Sequence, residues 1–324
     1  MKRIGRFLLW VGTMLFFFTG CTPFYELRME KNEPLTVGLL LEGNRFDQGW
    51  DSQGYEGLVQ IERQLHAKVT YYEFNNHATD EEIVARAEGM IRQGYRLLFG
   101  HGKVFENGFN RLGRKYPDVQ FILINGQSFA PNVYSVCFSG KSMGYFAGIV
   151  AGLMTKTNQV GIVAAYREMP EVEGYMAGVS RVNPKAHVLI GEVGSWGDRA
   201  KGREEAVKLL QQGADVLFPA GDAFAIEVIN AAREKQAYAV GFIIDQSFIA
   251  RQTVLVSVTQ NVKEIYLELA KAALRGELNQ YQGKVYDFYN GGHHLTEFGS
   301  MVPASVVERV EEYLKEYRKE SGFN

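Results

Sequence analysis

Asp47, Trp50 and Asp51 fall within five residues of one another and offer the side chains of a ligand grip. An indole can stack on a flat ring, and two carboxylates can accept hydrogen bonds. They sit in Phe46–Leu58 (FDQGWDSQGYEGL) with Gly49, Gly54 and Gly57. Polar and aromatic residues of the same kind recur far along the chain: His101, Asn125, Asp222, Phe224, Asp245 and Gln260. Each alone has a plainer use as a cap, a turn residue or a core aromatic. Their common feature is position, because each follows a short apolar run.

Those runs are the elements that must hold the grip. Residues 36–41 (TVGLLL) are almost wholly apolar, as in a strand of a parallel sheet buried on both faces. Tyr55, Leu58, Val59, Ile61 and Leu65 then recur at helical spacing, so the motif is a strand-to-helix turn. In open α/β sheets ligands bind at such turns. Thr79-Asp80-Glu81-Glu82 opens a further helix with a cap and an acidic first turn, and Gly94 closes it. The third strand is expected at 95–99 and a late one at 284–288; the strand before Gln260 is expected at 254–258. A helix over 141–154 is rich in Gly and Ala, built for close packing. The alternation of strand and helix restarts near residue 139, which predicts two parallel-sheet lobes facing a cleft that closes by a hinge.

Composition excludes several functions. Lys plus Arg number 35 and Asp plus Glu 37, interspersed, for a net charge of −2. No basic stripe or nucleic-acid motif is present, so direct DNA binding is not expected. His101 with Asp222 or Asp245 could form an acid–base pair, but no Ser or Cys nucleophile motif accompanies them. His293-His294 lacks carboxylates at metal-ligand spacing, and neither a metal nor a cofactor is expected.

The N-terminus carries its own signal. Lys2, Arg3 and Arg6 precede the apolar run 7–18, which is of signal-peptide length. Phe18-Thr19-Gly20-Cys21 resembles a bacterial lipobox, with Phe18 where Leu is usual. The resemblance implies cleavage before Cys21, lipidation of its sulfur and a mature chain held outside the cytoplasmic membrane. Residues 1–20 then form the signal peptide and 21–35 a polar tether. The first lobe is expected over 36–138 with about 261–277, and the second over 139–260 with about 280–320. Cys137, left alone after lipidation, reads as a buried small apolar residue.

Over nearly the whole mature length the chain resembles the basic membrane protein family of substrate-binding lipoproteins. Asp47–Leu58 is similar to that family's D-x-x-[FW]-N-x-x-x-[YW]-E-G-L, with Asp51 in place of Asn. Gly94–Gly102 (GYRLLFGHG), Tyr116–Phe121 (YPDVQF), Gln212–Val216 (QGADV) and Gly241–Gln246 (GFIIDQ, against G-[VI]-D-x-DQ) match in order and spacing. Phe138-Ser139-Gly140, residues 155–161 (TKTNQVG), Pro219–Asp222 and Gly100-His101-Gly102 look like the variants of a branch that regulates genetic competence positively.

The resemblance implies a type I periplasmic-binding-protein fold, with two Rossmann-like lobes and a hinge. It also implies no catalysis, and a nucleoside-like ligand stacked between aromatics and held by carboxylates. Trp50 matches the first aromatic, Phe224 is the candidate second, Asp47 the loop aspartate and Asp245 the late one. Asn125 stands where many members have Asp, and Gln260 where they have Lys, which removes a positive charge. The expected partners are the membrane, through the lipid, and either an ABC permease or a membrane signalling protein.

Overall fold

The computed structural model describes residues 34–75 and 78–320. The signal peptide, Cys21 and nearly all of the tether lie outside the described residues. Leu35, placed in the tether by sequence, is 4% exposed and packs in the first core, so that lobe begins one residue earlier than expected.

Two six-stranded sheets carry the fold. The first is built from β1 (Thr36–Leu41), β2 (Lys68–Glu73), β3 (Leu97–His101), β4 (Gln120–Ile124), β5 (Val133–Phe138) and β11 (Lys284–Tyr286). The second is built from β6 (Gln159–Ala164), β7 (His187–Glu192), β8 (Val216–Ala220), β9 (Tyr238–Ile243), β10 (Val254–Gln260) and β12 (His293–Leu295). The spatial orders are β11-β5-β4-β3-β1-β2 and β12-β10-β9-β8-β6-β7, the same order repeated. All pairings are parallel except β10 with β12. In each sheet the strand order reverses beside the first strand, β1 or β6, and ligands of such sheets sit at the carboxyl ends near that switch. Two lobes of this one repeated order make the type I periplasmic-binding-protein fold expected from the sequence.

The helices are α1 (Trp50–Leu65), α2 (Asp80–Arg92), α3 (Glu106–Lys115), α4 (Gly140–Met154), α5 (Pro170–Val182), α6 (Arg199–Gln211), α7 (Ala225–Glu234), α8 (Val262–Arg275) and α9 (Ala304–Glu320). Thr79 and Glu82 cap α2 reciprocally. The small residues of α4 serve contact with α5: a Cβ on Gly144 would lie 2.0 Å from the Glu171 carbonyl oxygen, and one on Gly178 equally close to that of Tyr145. That near-backbone contact fixes the start of α5 beside the start of α4.

Several boundaries differ from the sequence reading. β3 starts at Leu97, because Tyr95 and Arg96 bond back to the end of α2 and to Thr36. β10 runs on to Gln260. The strand at 284 ends at Tyr286 and pairs with β5, so residues 284–286 belong to the first sheet and not to the second lobe. β12 was not expected; three residues are too short to show a period. Cys137 is half-buried rather than buried, on the cavity wall described below.

The chain passes between lobes three times, near residues 139, 261 and 287–292, and the passages are tied together. Ser139 N–H donates to the Tyr286 carbonyl at 2.9 Å, Asn261 N–H to that of Gly292 at 2.9 Å, and His293 Nε2–H to that of Ser139 at 3.1 Å. This braid is the hinge.

Candidate functional site

A cavity of about 740 Å³ lies between the lobes. Its walls come from residues just past the carboxyl ends of strands in both sheets: Glu42 and Trp50 after β1, Asn125 after β4, Trp196 after β7, and Asp222 after β8. Both switch points therefore open onto one space, of the size typical for small-molecule sites.

The first lobe contributes a built platform. Trp50 stacks on His101 with ring centroids 3.9 Å apart and planes 17° from parallel. His101 is completely buried. Its Nε2 lies 2.8 Å from the Trp50 carbonyl oxygen, which can only accept, so the proton is on Nε2. Nδ1 then accepts from the Tyr266 hydroxyl at 2.6 Å. Burial pushes the imidazole down to about 3 despite that carbonyl, so it is neutral. Gly54 and Gly57 make room: a Cβ on Gly54 would be 2.8 Å from the His101 ring, and one on Gly57 2.9 Å from Tyr266. The motif's spacing of Trp, Gly and Gly at positions 50, 54 and 57 thus places an indole and two gaps on one helix face, over two supporting rings.

The start of α1 is capped from two sides. Asp47 accepts from the N–H groups of Gly49 (2.8 Å), Asp51 (2.8 Å) and Ser52 (3.0 Å). Asp222, from the other lobe, accepts from Trp50 N–H at 3.3 Å. A carboxylate at a helix N-terminus satisfies amides that have no partner within the helix. One of these bonds crosses the cleft, and so latches the two lobes.

Carboxyl groups crowd this corner. Asp51 is 5% exposed; one oxygen accepts from Gly43 N–H at 3.0 Å and the other, Oδ1, has no partner. Desolvation first, then the nearby Asp47 and Glu42 charges, push it up to about 8. Desolvation and the same neighbours hold Asp222 well above the usual carboxylate range. Burial raises Glu42 and Glu171 as well.

The second lobe is less supported. Trp196 sits between Gly194 and Gly197 and meets Tyr166 edge-on at 5.7 Å. Ile243 lines the cavity with a φ of 66°, where a β-branched residue is strained, and Ile244 N–H bonds to the Phe242 carbonyl at 2.8 Å, closing a γ-turn around it. In the register of G-[VI]-D-x-DQ, Ile243 stands where the pattern has its first Asp. Gln260 is 8% exposed; its Nε2 donates towards the Met143 sulfur at 2.9 Å and its Oε1 has no partner.

Of the residues singled out by sequence, Trp50, Asp51, Asn125, Asp222 and Gln260 meet on this wall. Asn125, at φ 62°, also accepts from Phe138 N–H at 2.8 Å through Oδ1. Four others stand off it. Asp47 spends its oxygens on the α1 cap, and His101 lies beneath Trp50. Phe224 is wholly buried, against Gly202 and Gly221. Asp245 lies past the γ-turn, exposed, accepting from Ser247 N–H at 2.9 Å. The aromatic residues of the second lobe on the wall are instead Trp196 and Phe242, and Phe138 of β5 joins Trp50 on the first. Trp196 and Glu171 were missed, although both follow strands and the same positional rule finds them.

A family model described as ABC transporter substrate-binding protein PnrA-like matches residues 35–322. The transcriptional activator protein med of Bacillus subtilis (strain 168) is 34% identical over 314 residues, 96% of each chain. An ABC transporter nucleoside-binding protein of Lactococcus lactis subsp. cremoris (strain MG1363) is 25% identical, covering 77% of each. Among solved structures, a transcriptional activator of the comK gene from Bacillus halodurans superposes with a TM-score of 0.79 at 35% identity, over 87% of this chain and 97% of that one. A solute-binding protein from Conexibacter woesei DSM 14684 gives 0.73 at 22% identity over 90% and 97%, which speaks to the fold.

Proposed function

Since the chain belongs to the PnrA-like family of substrate-binding proteins, also called the basic membrane proteins, we propose that it captures a small, flat, polar solute of nucleoside size between its lobes, without catalysis. The observation that carries this reading is the interlobe cavity with Trp50 from one lobe and Trp196 from the other on its walls. An aromatic platform held rigid from behind suits a ring, and the carboxyl and amide groups around it suit hydroxyl and amino donors. The relative named as nucleoside-binding supports the same class of ligand.

The chain works outside the cell membrane, anchored by lipid at Cys21. It reports solute occupancy to a membrane partner and so activates competence genes. The similarity to two proteins named as transcriptional activators, at 34% and 35% identity over most of the chain, favours this role over plain import. Import through an ABC permease is the second reading, favoured by the description of the family itself.

Thermal unfolding of the purified chain against a nucleoside panel tests capture: a bound solute raises Tm through mass action. No shift at millimolar concentration of any of them ends the nucleoside-like reading. A deletion strain separates the roles. Lost competence with intact nucleoside uptake fits regulation, and lost uptake alone fits import.

A further inference from the structure

We propose, on the premise that the cavity is a solute site, that its occupant carries a positively charged amine, received by carboxylates of both lobes and by aromatic ring faces. Glu42 and Asp51 from the first lobe and Glu171 and Asp222 from the second all line the cavity, and Lys103 is the one cation among the described lining residues. None of the four carboxylates takes part in an ion pair among the described residues.

A second feature, independent of the charge count, points the same way. Asp51 Oδ1 and Gln260 Oε1 are buried on opposite lobes and have no hydrogen-bond partner. Both are acceptors when Asp51 is ionised, so whatever completes each of them must donate. An ammonium or amidinium does so; a carboxylate or phosphate does not. Trp50, Phe138, Trp196 and Phe242 supply the apolar part of the wall, and ring faces attract cations. Among the described residues no three His, Cys, Asp or Glu groups converge as a metal cage, so the lining fits an organic cation better than a bare divalent ion.

Proton balance follows. Asp51 is faced by Glu42 after β1, Asp47 in the motif loop, neutral His101 from β3, the Tyr266 hydroxyl from α8, and Asp222 across the cleft. This crowd holds Asp51 up at about 8, so its carboxyl keeps its proton at neutral pH. A bound cation stabilises the ionised form, so binding expels protons, and affinity rises as pH goes from 6 to 8.

The test is calorimetry on the purified full-length chain with two matched pairs: 1-methyladenosine, charged, against adenosine; and 3,3-dimethylbutylamine, an ammonium with N–H donors, against its neutral isostere 3,3-dimethylbutanol. The expected result is that the charged member of at least one pair binds about tenfold tighter or more. Proton release should appear as a dependence of the heat on buffer ionisation. Asp51→Asn, which places the family's own residue at that position, and Glu171→Gln should each shrink the preference by at least about threefold. Equal or tighter binding of the neutral members overturns the proposal, and adenosine binding alone does so while leaving solute capture standing. Failure of all four ligands overturns the proposal too, and the nucleoside panel then decides whether capture falls with it.

Discussion

The two walls of the cleft are built to different standards. On the first lobe the support behind Trp50 is bonded: His101 is bonded at both nitrogens, and the opening amides of α1 are capped by Asp47 and Asp222, which leaves Asp51 Oδ1 as the unpartnered atom of that corner. On the second lobe Trp196 rides on a loop between glycines, Ile243 is held in a left-handed turn, and the Gln260 carbonyl is unpaired. A rigid platform facing a strained and incompletely bonded wall divides the labour. For the solute proposed above, the first lobe is the side that fixes where its ring lies. Preorganisation on one side lowers the ordering cost of binding. Unsatisfied oxygens, Asp51 Oδ1 on the first side and Gln260 Oε1 on the second, give the proposed solute a part in completing the closed structure.

The largest expected break in that contrast comes from crowding the platform. Gly54→Leu drives a side chain into the space of the His101 ring, where even a Cβ would come within 2.8 Å. Overpacking a rigid site costs about 3 kcal/mol. At about 2–4 °C per kcal/mol for a chain of this size, Tm should fall by about 6–12 °C. Gly197→Ala, in the second lobe, meets nothing within 4 Å and has no left-handed φ, so it should change stability by less than about 0.5 kcal/mol. Paired thermal melts check both. Equal losses would mean that the two walls are equally tight.

How far could this contrast be read beforehand? The doubled βα alternation gave the lobes and most strands, because apolar runs and helical stripes differ in period. Two edges were only partly legible: β11 is expected as a strand but in the second lobe, β12 is not expected, and both are three residues long with partners chosen by tertiary contact. In the site, the strand-end rule located Trp50, Asp51, Asn125, Asp222 and Gln260. It failed where residue type was trusted over local bonding. Asp47 stands three residues before the start of α1, within reach of its first amides, and its oxygens are used there. Phe224 was chosen for its ring, yet Gly202 and Gly221 form a slot that swallows it. Asp245 was aligned by its motif, but the γ-turn at Ile243 decides which residue meets the cavity.

A medium effect is expected from pH. A carboxyl raised to about 8 contributes stability that is complete below its unfolded value near 4, and this is lost as pH climbs through 8. His101, lowered to about 3, and His293, lowered to about 4, work the other way: their contribution is lost as pH falls from about 6.5 towards those values. Between pH 6.5 and 8 the carboxyls therefore dominate among these groups. The unliganded chain should lose at most about 2 kcal/mol over that interval through Asp51. Asp51→Asn should flatten the fall without abolishing it, since Asp222 is raised too. Melting curves at several pH values decide. An unchanged slope in the variant would place the titrating group elsewhere.

The smallest effect concerns Ile243. Its side chain is 5% exposed, so removing it forfeits burial worth about 1.5–3 kcal/mol. Its φ of 66° stores about 1–3 kcal/mol of backbone strain, which glycine relieves because it lacks a Cβ. Glycine also gives back part of that gain through greater freedom in the unfolded chain. The terms nearly cancel, so Ile243→Gly should lie within about 1 kcal/mol of the parent. Ile162→Ala, which removes a wholly buried side chain from the middle of β6 with no strain to relieve, should cost about 2–5 kcal/mol. If both variants lose the same stability, the turn is unstrained, and the second wall owes its looseness to the Trp196 loop and the unpaired Gln260 carbonyl alone.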